Sequence, residues 1–269
     1  MTINPVNDAP VITEGASVNV AMSMGGSPTP FDLTLHATDI DSGITTLTWS
    51  ISSAPLYGVA AVVTGASPII GSMGTTSYTL NTGYMGTDSF EVRVTDGSLV
   101  DIITVNVTVR PVLTVIADSQ RKEYGSTSDP AFTFRYVGFV GTEGPSNVDF
   151  PPTCTVLVPY INVGEYPIVC SHGLDDKYDF IYVDNTLAVT PRPISVRADA
   201  NQRKEYGGAD PSLTYHIISG ALLASDSFSG SLTRTSVENV GDYDISQGTL
   251  TAGSNYNLTY IPGGKLTIT

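Results

Sequence analysis

Apolar and polar residues alternate in short runs along the whole chain. Val18 and Val20 begin the series. Leu33, Leu35 and Ala37 follow, then Leu47, Trp49 and Ile51, then Phe90, Val92 and Val94, then Ile103, Val105, Val107 and Val109. Successive side chains of a strand point to opposite faces of its sheet, so each run predicts a strand with one buried face. Turn residues (Gly, Pro, Asn, Asp) separate the runs, which predicts a β-sandwich of roughly seven strands over residues 1–110. Trp49, the only tryptophan, lies between apolar partners in mid-strand and is predicted to anchor the core.

The remaining two thirds of the chain is one unit written twice. LTVIADSQRKEYG (Leu113 to Gly125) returns as ISVRADANQRKEYG (Ile194 to Gly207). An Asp-Pro pair follows each copy, Asp129-Pro130 and Asp210-Pro211, and leads into the alternating runs AFTFRY and SLTYHI. The match resumes at NVGEYPI and NVGDYDI and closes with YDFIYVDNTLAVT and YNLTYIPGGKLTIT. The offset between copies shifts by a few residues from motif to motif, which marks insertions and deletions in loops. The expected domains are therefore 1–110, 111–191 and 192–269, each an antiparallel β-sandwich. Pro111 and the Pro191-Arg192-Pro193 segment mark the junctions. A connection this short and proline-bearing predicts stiff, end-to-end modules and an extended rod. The recurring K-E-Y-G is expected to be structural, a tyrosine packed across its sheet beside a glycine turn.

Composition narrows the function classes. Twelve Lys and Arg face 26 Asp and Glu, giving a net charge of −14, which repels phosphate backbones and anionic lipid surfaces. Nucleic-acid binding is not expected. No apolar run approaches the roughly 20 residues of a membrane span, so no membrane insertion is expected either. Nineteen of the acids are Asp, the carboxylate of turns and an oxygen ligand of calcium. MTINPVNDAP lacks the basic region and apolar core of an export signal, so the sequence reads as a fragment of a longer chain.

Cys154 and Cys170 are the only cysteines, and their midpoint is Asn162 of the turn-forming Asn162-Val163-Gly164. A hairpin centred there sets Val156 against Ile168, Val158 against Tyr166, and Cys154 against Cys170 on the same face. The register that pairs the apolar residues also pairs the thiols, which predicts a disulfide and an oxidising compartment.

Residues 1–110 resemble the cadherin-like and immunoglobulin-like repeats of large bacterial surface proteins, through NDAP (Asn7 to Pro10), ATDIDSG (Ala37 to Gly43), YMGTDSF (Tyr84 to Phe90) and VTDG (Val94 to Gly97). The two copies resemble MBG-type repeats of bacterial secreted and adhesin-like proteins, through K-E-Y-G, Asp-Pro, N-V-G-x-Y and the closing strand. The resemblance implies modules that space or present other domains outside the cell, with no catalytic site. In cadherin-like repeats calcium sits where domains meet, held by a linker Asn-Asp and by loop acids. Carried over residue by residue, that set is Asn7, Asp8, Asp39, Asp41 and Asp96. A weaker second site is drawn at Glu14 and Asp88. Asp175, Asp176 and Asp179 form only a loose acidic loop.

His36, His172 and His216 fall one per predicted domain with no metal-binding spacing, and no nucleophile elbow or phosphate-binding glycine loop occurs. The expectation is a monomeric, non-catalytic, extracellular stalk segment of a bacterial surface adhesin-like protein. Its partners are neighbouring domains of a longer chain and a surface glycan or protein ligand, with calcium as stiffener. The alternative is a module that itself holds a glycan or protein on a patch of exposed tyrosines.

Overall fold

The computed structural model describes residues 6–41, 46–64 and 72–269. The chain divides into two compact units, and the division passes through the first repeat copy. One unit comprises Met1–Val115, Tyr136–Thr153 and Ser171–Tyr182; the other comprises Ile116–Arg135, Cys154–Cys170 and Val183–Thr269.

In the first unit the leading strands are β1 (Val11–Ile12), β2 (Ser17–Ser23), β3 (Leu33–Thr38), β4 (Thr48–Ser53), β5 (Gly58–Thr64), β6 (Ser72–Leu80), β7 (Gly86–Thr95) and β8 (Val100–Arg110). They form two four-stranded sheets, β1-β3-β6-β5 and β2-β8-β7-β4. The alternating residues read from the sequence fill the space between them: Leu35, Ala37, Trp49, Phe90, Val92, Val94, Ile103, Val105 and Val107 share one core. Trp49 is 4% exposed. A Cβ at Gly74 would stand 2.9 Å from its indole, so the ring lies directly on backbone.

The first repeat copy contains β9 (Val112–Ala117), β10 (Gln120–Glu123), β11 (Phe134–Val137), β12 (Thr153–Val156), β13 (Gly164–Ser171), β14 (Asp179–Val183) and β15 (Asn185–Thr190). Its sheets are β11-β9-β14 and β10-β15-β13-β12. The second copy contains β16 (Arg192–Ala198), β17 (Gln202–Lys204), β18 (Tyr215–Ser219), β19 (Thr233–Arg234), β20 (Gly241–Ser246), β21 (Tyr256–Tyr260) and β22 (Lys265–Ile268). Its sheets, β18-β16-β21 and β17-β22-β20-β19, enclose Val196, Ala198, Leu232, Ile245, Leu250 and Leu266.

The ladders differ from the expectation in one respect. Most pairs are antiparallel, but β2 runs parallel to β8, β10 to β15, β16 to β21 and β17 to β22. A buried face repeats every second residue in either orientation, so hydropathy does not distinguish the two. In the second copy the parallel register is continuous: Arg192 opposes Tyr256, Val196 opposes Tyr260, and Gln202 to Lys204 oppose Leu266 to Ile268. The chain changes sheet within this run and keeps its partner. No helix among the described residues is long and apolar enough to cross a membrane.

Candidate functional site: the repeat junctions and the acidic loops

The K-E-Y-G motif divides into two jobs. Its lysine serves its own repeat by reaching the aspartate of the Asp-Pro pair: Lys122 Nζ lies 2.5 Å from Asp129, and Lys204 Nζ 2.8 Å from Asp210. In the first copy the Tyr160 hydroxyl also donates to Asp129 at 2.8 Å, and the ammonium lies 5.3 Å from the Tyr160 ring centroid. In the second copy the pair grows into a four-charge cluster. Arg234 binds Asp210 and Glu238, Glu238 also accepts from Lys204, and both cationic side chains are 4% exposed. The Arg234 and Lys204 hydrogen bonds hold the Asp210 carboxyl down at about 2, well below the usual carboxylate range.

The tyrosine serves the next repeat. In the first copy this tyrosine is Tyr124. Its hydroxyl donates to Asp226 Oδ2 at 3.0 Å, and its ring meets that of Tyr256 edge-on at 5.5 Å between centroids. The Tyr256 hydroxyl donates to the same Asp226 oxygen at 2.6 Å and accepts from the Leu223 amide at 2.8 Å. Asn162 and Val163 add hydrogen bonds to Asn255, which in turn accepts from the Arg192 amide. Burial raises the Tyr124 and Tyr256 pKa values, and hydrogen bonding, first from Tyr256, lowers that of Asp226. The shared carboxylate therefore stays charged and the hydroxyls stay protonated, the states this arrangement requires.

In the first copy the matching trio is present. The Tyr178 hydroxyl donates to Glu143 and accepts from the Val140 amide at 2.9 Å. Next to it stands the junction with the leading sandwich. The supposedly loose acidic loop is a clamp there: Asp179 is 9% exposed, pairs with Arg110 at 3.1 Å and accepts from the Ser23 hydroxyl at 2.5 Å. Arg110 also donates to the carbonyls of Asp175 and Asp176. A guanidinium suits this site because its planar fork can serve several acceptors at once. Sequence reading missed Arg110 and Ser23. Its only available signal was a basic residue directly before the junction proline. One residue outside strands, Pro111 or Pro191, separates the flanking strands at each junction.

The five residues of the expected calcium set form one hydrogen-bonded chain. Asn7 Nδ2 donates to Asp96 at 2.7 Å, the Asp8 amide to Asp41 at 2.6 Å, and the Asp41 amide to Asp39 Oδ1 at 2.9 Å. The other Asp96 oxygen accepts the Ser98 and Leu99 amides, as a turn-forming aspartate does. Asp39 Oδ2 is buried and has no hydrogen-bond partner among the described residues. Among the described residues no group of three His, Cys, Asp or Glu is arranged to hold a metal ion. Ser42 and Gly43 of the ATDIDSG motif lie outside the described residues. Glu14 and Asp88 have separate structural partners, His36 for the first and Tyr57, Leu56 and Tyr78 for the second.

Cys154 and Cys170 are joined, with Cα atoms 4.0 Å apart on the neighbouring strands β12 and β13. The hairpin is shorter than expected. β12 ends at Val156, and Val158 is 47% exposed rather than paired inward with Tyr166. Pro159 follows immediately and has no amide to extend the ladder. The exposed aromatic residues among those described are Tyr57, Phe150 and Tyr206, and Tyr57 is stacked on Tyr84.

These features define a tandem of Ig-like β-sandwich repeats with built joints. The chain belongs to the MBG domain (YGX type) family, which it matches over residues 113–188 and 194–267. Residues 7–108 match the bacterial Ig domain. Domains of both kinds are typical of surface or secreted proteins and are typically non-catalytic. No curated protein matches the chain. Similar solved structures include the protocadherin gamma B7 extracellular cadherin domains (12% identity, 89% of this chain and 72% of that one, TM-score 0.31). Others are zebrafish RET cadherin-like domains 1 to 4 (12%, 68% and 52%, 0.33) and an I-band fragment of titin (10%, 98% and 99%, 0.31).

Proposed function

We propose that this chain is a non-catalytic stalk segment of a bacterial surface adhesin-like protein, three sandwiches end to end that hold binding domains away from the cell. The observation that carries the reading is the joint chemistry. A spacer must resist bending where its modules meet. Here a single proline separates the flanking strands, and named side chains close each joint: Arg110, Ser23 and Asp179 at one, Tyr124, Asp226 and Tyr256 at the other. The disulfide suits an oxidising exterior.

Calcium is the proposed stiffener at the leading end. Calcium takes oxygen ligands, about six to eight of them, and Asn7, Asp8, Asp39, Asp41 and Asp96 supply oxygen-bearing side chains in one connected group. The Asp39 Oδ2 atom supports that assignment, because no donor among the described residues satisfies it.

Solution scattering with calcium and with chelator tests both parts. A compact particle of this length has a radius of gyration of about 18 Å. Three sandwiches in line, from strand rise and loops, give about 35 Å. The larger value supports the stalk, and a compact particle in both conditions rejects it. Calorimetric titration with calcium, repeated on Asp39→Asn, decides the ion: heat lost in the variant supports the site, and no heat in the parent rejects it.

A further inference from the structure

The two copies of the motif share one backbone geometry. The Tyr124 amide donates to the Thr190 carbonyl at 2.9 Å, and the Tyr206 amide to the Thr269 carbonyl at 2.9 Å. Gly125 and Gly207, the residues that follow, have φ of 71° and 76°. Tyr166 donates to the Asn162 carbonyl as Tyr243 does to that of Asn239, at 2.8 Å in each case. The surroundings of the tyrosine and the glycine differ. Tyr124 is 6% exposed and Tyr206 is 66% exposed. A Cβ on Gly125 would meet Leu223, whereas one on Gly207 meets nothing within 4 Å. Among the described residues the Tyr206 hydroxyl has no partner. Val240 is exposed where its counterpart Val163 is half-buried, while Glu205 and Asn239 are exposed as Glu123 and Asn162 are.

We infer that Tyr206, Gly207, Asn239 and Val240 form a docking face for a further repeat of this same type, joined after Thr269. The occupant is specified by the engaged joint. It must offer an acid and a tyrosine sharing one hydrogen bond, with an apolar residue donating its amide to that tyrosine, as Asp226, Tyr256 and Leu223 do. Both repeats of this chain carry that trio, with Glu143, Tyr178 and Val140 in the first. A second copy of the whole chain is excluded as the occupant through Asp226, because its own Tyr124 already fills that site. Within the second repeat the two faces terminate the same paired run, Arg192 beside Tyr256 at one end and Tyr206 bonded to Thr269 at the other. The repeat therefore presents a socket at its start and the matching plug at its finish, which is what polymerising one unit in sequence requires.

The test extends the full chain by a second copy of residues 192–269 after Thr269 and maps tyrosine nitration by mass spectrometry. In the parent chain Tyr206 should react freely and Tyr124 should be protected. In the extended chain the Tyr206 rate should fall roughly tenfold, the ratio of the two exposures of 66% and 6%. Asp226→Lys placed in the added copy alone should restore the reaction. An added copy that folds without covering Tyr206 overturns the proposal. So does one that fails to fold there, because the same sequence folds beside Tyr124 and Gly125. Protection that survives Asp226→Lys, or a parent chain that dimerises through Tyr206 in sedimentation, also overturns it.

Discussion

Gly125 and Leu223 touch so closely that a Cβ added to the glycine would stand 2.5 Å from Leu223 Cδ1. The contact joins one repeat to the next and has an internal control. Gly125 and Gly207 both hold a left-handed backbone, so alanine at either should cost about 1–2 kcal/mol in strain. Only Gly125→Ala also drives a methyl into the neighbouring repeat, for about 1 kcal/mol more. Denaturant titration of both variants checks this: equal losses would mean that the joint does not feel the glycine.

The tyrosine hydroxyl at the same joint is worth less than the acid it reaches. Tyr124→Phe leaves Asp226 with its 2.6 Å bond from Tyr256, so the loss should be at most about 1 kcal/mol. Asp226→Ala strips the acceptor from both hydroxyls and should lower the melting temperature further. If Tyr124→Phe proves the worse variant, the shared-acceptor picture is wrong.

Local periodicity made the strands legible. Leu113, Val115 and Ala117 were readable as a buried face because the signal lies within six residues, and all three are fully buried. The cysteine pairing was readable because one turn sets its register. The joints were not. Arg110 and Asp179 are 69 residues apart, and Tyr124 and Asp226 are 102 apart. Nothing local names the partner of either one, since an exposed tyrosine and a docked one have the same sequence neighbours. Tyr206 demonstrates this directly: the same K-E-Y-G ends in solvent there. The parallel ladders were hidden for a related reason, because alternation carries no strand direction.

The Cys154–Cys170 bridge closes a loop with a sequence separation of 16. In the loop-entropy account a loop of this size contributes about 3 kcal/mol by restricting the unfolded chain. Cys154→Ser with Cys170→Ser should therefore lower stability by about that amount without changing the far-ultraviolet spectrum. The second repeat folds without such a bridge, so the fold should survive. A variant that is unfolded at room temperature would show that the bridge is instead a requirement of the fold.

Acid should loosen the second repeat in a window set by Asp210. Its carboxyl titrates at about 2 in the folded protein, held down first by Arg234 and then by Lys204, against about 3.9 in an unfolded chain. Because the folded value is the lower one, the unfolded state binds the proton more readily. The stabilisation is complete above about pH 4 and is lost as the pH falls through about 2. Glu238 shifts in the same direction through Lys204 and Arg234, so the two acids reinforce one another. Asp210→Asn removes one acceptor from two cations that are 4% exposed, leaving them under-compensated at every pH. Melting temperature followed from pH 6 to pH 2 should fall steeply in the parent below about pH 4. The variant should start lower and fall less over the same interval. Parallel curves would show that other carboxylates govern acid unfolding and that the cluster is only a surface arrangement of charges.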